Sequence, residues 1–361
     1  MAAMAATACF SAQAGSNGVI ATITPERDSL GASDDVVVNV TITNTSSKPQ
    51  HVLSWYTPFG ETQESLFDVT RDGVKVNYRG AHYKRHVPRP GEYLVLEPGE
   101  SRSAKVELSA LYDMSVTGDY QIRYHIASLN LFNGSVGHGQ QALATESADA
   151  VSTEKEIGEI ESEPTRIWID GVLERGAEPA PRLLDTLRAG AAAGLSTANC
   201  SSSQASQVSS AFSAAKTMLA NGNSYLGAGT SGTRYTKWFG SYTSSRYSTI
   251  KTHYTALKDA FANKPVLVDC GCKGSEYAHV YPDQPYHIYV CKAFWPAPTT
   301  GTDSKGGTLI HEMSHFYAVA STDDWAYGQS AAASLAISNP TKAIDNADSH
   351  EYFGENTPAL P

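Results

Sequence analysis

From about residue 17 to 128 the chain alternates apolar and polar positions with a period of two. Val36, Val38, Val40 and Ile42 share one face, and Val37, Asn39, Thr41 and Thr43 the other, as in a half-buried strand. Within residues 66–78, Asp72-Gly73 separates two strand-like runs and predicts a hairpin. Further strands are predicted over Tyr93–Leu96, ended by Pro98-Gly99, and over residues 106–108 and 120–126. After Cys200 the texture becomes helical. Ser201, Ser202 and Ser203 offer an N-cap, and Val208, Phe212, Ala215 and Leu219 form an apolar stripe ended by Asn221-Gly222. A second helix is predicted over residues 244–261. Short strands follow at 266–270, 277–281 and 287–291, and the chain turns helical again from about Thr308.

This change of period divides the 361 residues in two. About seven short strands with turn-punctuated spacing predict an immunoglobulin-like β-sandwich over residues 15–128. Gly118-Asp119-Tyr120 before a strand resembles the tyrosine corner of that architecture. Residues 196–361 read as a separate α+β domain. Between them, residues 129–195 are rich in Ser, Ala, Gly and Glu, with an acidic run at 154–163, and read as a linker or processing region. Thr165–Asp170 is a candidate last strand of the sandwich.

Charge supports the division: residues 196–361 hold 11 Lys+Arg and 12 Asp+Glu, while most of the net charge of -10 lies before them. An acidic chain is a poor match to nucleic acid, and no apolar run approaches the roughly 18 residues that cross a bilayer. Residues 1–14 form an Ala-rich start ending in Ala12-Gln13-Ala14, which reads as a remnant of a cleaved export signal. Removing it takes away Cys9 and leaves Cys200, Cys270, Cys272 and Cys291, an even count that suggests two disulfides in an exported protein. His82 and His86 flank Lys84-Arg85 ahead of two prolines and read as loop residues.

Candidate chemistry is concentrated at residues 311–315, where His311-Glu312-Met313-Ser314-His315 is an H-E-x-x-H motif. On a helix the two histidines share a face and can hold one zinc, with Glu312 beside a metal-bound water. A catalytic zinc needs a third protein ligand and an open position. Asp324, nine residues beyond His315, is the acidic candidate, and a helix beginning there would bring Tyr327 to the same side.

HEMSH followed by Ser321-Thr322-Asp323-Asp324-Trp325-Ala326-Tyr327-Gly328 resembles the aspzincins, and in particular the peptidyl-Lys metalloendopeptidases. Residues 293–304, 327–332 and 346–353 add to the resemblance, which covers about 196–361. It implies a zincin-type domain with one zinc held by His311, His315 and Asp324. It implies Glu312 as general base, Tyr327 as hydrogen-bond donor to the oxyanion, and Asp348 and Glu351 as the acidic pair of an S1′ lysine pocket. Asp345 lies one helical step from that pair. The resemblance further implies the pairings Cys200–Cys270 and Cys272–Cys291. Ser321 departs from the family's usual Gly, which matters if the loop needs a positive φ. The implied protein is a secreted, monomeric zymogen that hydrolyses protein substrates before lysine and is inhibited by its own propeptide through a carboxylate, a histidine or steric block. The competing readings are a broader, deuterolysin-like endopeptidase and an inactive adhesin or binding module.

An enzyme that cuts before lysine finds none between Lys155 and Lys216. Trimming to a mature start near Ser196 is therefore expected to need a second protease, or a clip at Lys155 followed by trimming. Incubating the Glu312→Gln precursor with active enzyme tests this: an N-terminus near residue 196 with no other protease present overturns it.

Overall fold

The computed structural model describes residues 16–60, 62–132, 156–177, 192–229 and 231–361. The expected export signal and much of the expected linker lie outside the described residues.

The period-two region forms two main sheets around one core, with Gln50–Leu53 and Tyr93–Leu96 pairing as a separate two-stranded sheet. Val37–Asn44 pairs antiparallel with Val19–Pro25 on one side and Ser101–Glu107 on the other. The second sheet is centred on Gly118–Ser128, which pairs antiparallel with Phe67–Arg71, Thr165–Asp170 and Gly158–Glu161. Val38, Val40 and Ile42 meet Ile122, Tyr124 and Ile167 in a common interior, because every second side chain of a strand points inward. Asp72 and Gly73 both take positive φ and close the expected hairpin between Phe67–Arg71 and Val74–Lys75. The Tyr120 hydroxyl donates to the Val116 carbonyl at 2.7 Å, tying the strand to the corner before it.

The C-terminal region packs helices against a five-stranded sheet. Its order is Gly194–Ala198, Pro265–Asp269, His287–Val290, Ala278–Val280 and His82–Lys84. Helix Ser202–Gly227 begins at Ser201, whose side chain accepts from Gln204 N–H. It does not stop at Asn221-Gly222 as expected. Asn223 donates to Leu219 and Tyr254 carbonyls, and a Cβ at residue 222 would sit 2.6 Å from the Tyr254 ring. Gly222 is there for close helix packing rather than as a stop. Cys200–Cys270 and Cys272–Cys291 are disulfide-bonded, the pairing implied by the resemblance.

Two further expectations are corrected. The helix carrying His311 starts at Lys305, capped by Ser304, whose side chain accepts from Gly307 N–H. His82 and Lys84 are not in a free loop. They form a strand that adds antiparallel to Ala278–Val280, with the side chains of both buried and Tyr83 half-buried between them. The three residues come from the N-terminal region yet complete the edge of the C-terminal sheet. Nothing in the local pattern announces this, because the partner strand lies nearly 200 residues away.

Ser321 takes φ 57°, the left-handed conformation that costs a side-chain-bearing residue about 1–2 kcal/mol. Ser321→Gly removes that strain but adds flexibility to the unfolded chain. It is expected to raise stability by up to about 1 kcal/mol, measured by denaturant unfolding; a clear loss of stability would show that the serine side chain is itself a needed contact.

Candidate active site

Helix Lys305–His315 is buried along its whole length, packed between helices Ser202–Gly227 and Ala347–Glu355. Only a helix interior satisfies so many backbone groups away from water, so its polar side chains stand in fixed positions. His311 Nε2 and His315 Nε2 lie 3.1 Å apart. Asp324 approaches them with Oδ1 3.4 Å from His311 Nε2 and Oδ2 3.5 Å from His315 Nε2. Zinc–ligand bonds of roughly 2.0–2.2 Å in tetrahedral array place neighbouring donor atoms about 3.3–3.6 Å apart, so these three side chains fit the ion. Neither carboxylate oxygen of Asp324 has a hydrogen-bond partner among the described residues, a costly state for a buried acid without a cation. His315 Nδ1 is 2.7 Å from the Thr322 carbonyl and His311 Nδ1 is 2.9 Å from Asp348 Oδ1. Both contacts leave the Nε2 atoms turned toward Asp324, as metal-binding histidines require.

Glu312 is fully buried, and burial pushes its carboxyl up to about 8. One oxygen accepts the Lys84 backbone N–H at 3.0 Å; the other has no hydrogen-bond partner among the described residues. Tyr327 is also buried, but the expected helix from Asp324 is absent. Residues 324–328 are non-helical, and the next helix begins at Gln329. The Tyr327 hydroxyl reaches Glu64 Oε1 at 3.2 Å and the Tyr83 carbonyl at 3.5 Å. Glu64 is buried against Arg85, 3.2 Å away, yet burial outweighs that cation and lifts Glu64 to about 7.

Asp348, in the first turn, and Glu351, mid-helix, both project from helix Ala347–Glu355 and are fully buried. Between them stands the ammonium of Lys84, 2.7 Å from Asp348 Oδ1, 2.9 Å from Glu351 Oε2 and 3.2 Å from Asp303 Oδ1. It also sits 5.2 Å from the Tyr352 ring centroid, and the Tyr352 hydroxyl donates to Asp303 at 2.8 Å. Burial opposes the charge, but Asp348 and Glu351 outweigh it and hold Lys84 well above the usual lysine range. Burial likewise works to raise Asp348, but Lys84 and His311 hold it far below the carboxylate range. Asp345 is elsewhere, accepting the Trp325 indole N–H at 3.0 Å.

The structure thus gathers His311, His315, Asp324, Glu312, Tyr327, Asp348 and Glu351 around one cleft. Sequence reading missed Lys84, Glu64, His82, Asp303 and Tyr352. Asp303 and Tyr352 fall within the family-like segments 293–304 and 346–353, so that signal was present. For Lys84, Glu64 and His82 no local signal existed. His82 stacks on His315, with ring centroids 4.8 Å apart.

Known proteins resemble this chain along most of its length. The aspzincin profile, described as lysine-specific metallo-endopeptidase, matches residues 224–355. An extracellular protease of Aeromonas hydrophila is 43% identical over 91% of this chain and 90% of its own. A peptidyl-Lys metalloendopeptidase of Grifola frondosa is 36% identical over 92% of this chain and 91% of its own. A solved zinc peptidase from Grifola frondosa is 50% identical, covering 45% of this chain and all of that one, with a TM-score of 0.43. Relatives alike along nearly their whole length show that the chain belongs to the aspzincin family and is a zinc metalloendopeptidase.

Proposed function

We propose that this enzyme cleaves peptide bonds on the N-terminal side of lysine and that the chain is a secreted zymogen. In this reading residues 1–14 are an export signal, 15–128 an immunoglobulin-like propeptide domain, 129–195 a processing region and 196–361 the protease. The observation that carries the specificity is the Lys84 ammonium, buried between Asp348 and Glu351. That pocket already satisfies a lysine, and the strand bearing it lies antiparallel along Ala278–Val280 as an extended substrate would. Zymogen form is supported by the same contact, because a cleft holding its own chain excludes other peptides. Two disulfides and the extracellular relative support secretion.

The proposed residue roles follow from position. His311, His315 and Asp324 hold one zinc, which when bound supplies Lewis acidity to water and to the scissile carbonyl. Glu312 accepts the proton from the attacking water and passes it to the leaving amine; its carboxylate already faces a backbone N–H at the P1′ position. A cation beside Glu312 favours its ionised form and offsets the upward push of burial. The Tyr327 hydroxyl steadies the oxyanion, being aimed at the carbonyl one residue before the pocketed lysine. Asp348 and Glu351 neutralise the P1′ ammonium, and Asp348 also orients His311.

Three outcomes are expected. Asp324→Ala loses near-stoichiometric zinc by metal analysis, while Glu312→Gln keeps zinc and loses activity; a fully active Glu312→Gln enzyme sinks the mechanism. Sequencing the new N-termini of a digested denatured protein should show Lys far above Arg, whose planar guanidinium fits the paired carboxylates differently. Asp348→Ala or Glu351→Ala is expected to cost about 2–5 kcal/mol of kcat/KM toward lysine substrates, and an unchanged lysine preference in both variants assigns the pocket elsewhere.

A further inference from the structure

We infer that the Tyr83–Lys84 peptide bond is the enzyme's own first cleavage site, cut within the same molecule; this rests on the lysine-specific reading above. Three contacts frame that one bond. The Lys84 side chain fills the acidic pocket, the Lys84 backbone nitrogen is 3.0 Å from Glu312 Oε1, and the Tyr83 carbonyl oxygen is 3.5 Å from the Tyr327 hydroxyl. Lysine in the pocket, leaving nitrogen at the acid/base and carbonyl at the oxyanion donor are the demands a substrate bond must meet together. The backbone is held in register: His279 lies opposite Tyr83, and Tyr277 N–H donates to the Lys84 carbonyl at 3.0 Å.

The step balances with water alone. Its oxygen adds to the Tyr83 carbonyl carbon, and its proton passes through Glu312 to the Lys84 nitrogen. The C–N bond breaks and the second water proton follows the first to the nitrogen, leaving Tyr83 with a carboxylate and Lys84 with an α-ammonium. Glu64 slows the step, since it holds the Tyr327 hydroxyl at 3.2 Å, closer than the scissile carbonyl does. The cut does not itself open the cleft. Lys84 keeps its three carboxylate contacts, Arg85 stays paired with Glu64, and the Tyr56 hydroxyl still donates to the Asp324 carbonyl at 2.9 Å. The nicked chain remains a latent complex until the N-terminal region departs.

The test uses the full chain with zinc, incubated over a hundredfold range of dilution. Denaturing mass analysis and N-terminal sequencing are expected to show a fragment beginning at Lys84. Its first-order rate should be independent of concentration, and Glu312→Gln and Lys84→Ala chains should not yield it. A second readout needs no turnover. In the intact Glu312→Gln chain, amine acylation is expected to spare Lys84 at least tenfold relative to the exposed Lys105. A rate that scales with concentration makes the cut intermolecular and overturns the inference. So does acylation of Lys84 as readily as Lys105. If the incubated chain cuts denatured protein before lysine but never at Tyr83–Lys84, the inference fails and the specificity stands. Cutting of denatured protein at residues other than lysine fails the specificity itself.

Discussion

A carboxylate with no exposure to water must be paired, and Asp348 is paired on every side. One oxygen meets both the Lys84 ammonium and His311 Nδ1; the other accepts Gly328 N–H at 2.7 Å and the Tyr352 hydroxyl at 3.2 Å. An isolated ion in that position would cost several kcal/mol, so these partners are obligatory rather than decorative. Through them a single side chain links the lysine pocket, the metal-facing histidine, the turn after Tyr327 and the pocket's aromatic wall. In the proposed reading, recognition of a substrate cation and orientation of a metal ligand are therefore not separable. A lysine entering the pocket strengthens the field that holds Asp348 ionised, and an ionised Asp348 is what fixes His311.

The pocket is also crowded with acid. Asp303, Asp348, Glu351 and Glu355 lie near one cation, and burial with the Glu351 carboxylate lifts Glu355 to about 9. Glu355 is not idle: it accepts Ser304 N–H and hydroxyl, bracing the cap of the helix that carries His311. With Lys84 in place the cluster has a counter-ion. Even with that counter-ion, burial raises Glu351, and the Asp348 and Asp303 carboxylates add to the push. In the proposed reading a cation relieves this crowding, whether the lysine is internal or belongs to a substrate.

What was legible in the sequence follows the range of the interactions. His311, Glu312 and His315 are spaced by the helix itself, and Asp324 by a short turn, so local pattern exposed them. Asp348 and Glu351 needed the resemblance, since an acidic i,i+3 pair is otherwise an ordinary helix surface. The alternation at Val36–Ile42 and the Asp72-Gly73 turn carried the sandwich. Helix ends were read poorly where tertiary packing overrode the local signal, as at Gly222 against Tyr254. Lys84 was invisible because its meaning lies in contacts more than 200 residues away. Its neighbours Arg85, Pro88 and Pro90 look like loop, and only a strand partner from the other region makes it an extended edge.

That borrowed strand has a consequence for the sheet it completes. Should residues 82–84 depart with the proposed propeptide, Ala278–Val280 would become an edge only three residues long. A long bare edge invites pairing with other copies of the chain, whereas so short a ladder gives a neighbouring protein little to hold. It still offers main-chain bonds to any extended peptide, and such bonds are blind to side-chain identity. In the proposed reading the sheet then fixes the direction of a visiting chain while the acidic pocket fixes its register, so discrimination rests on one residue of the peptide.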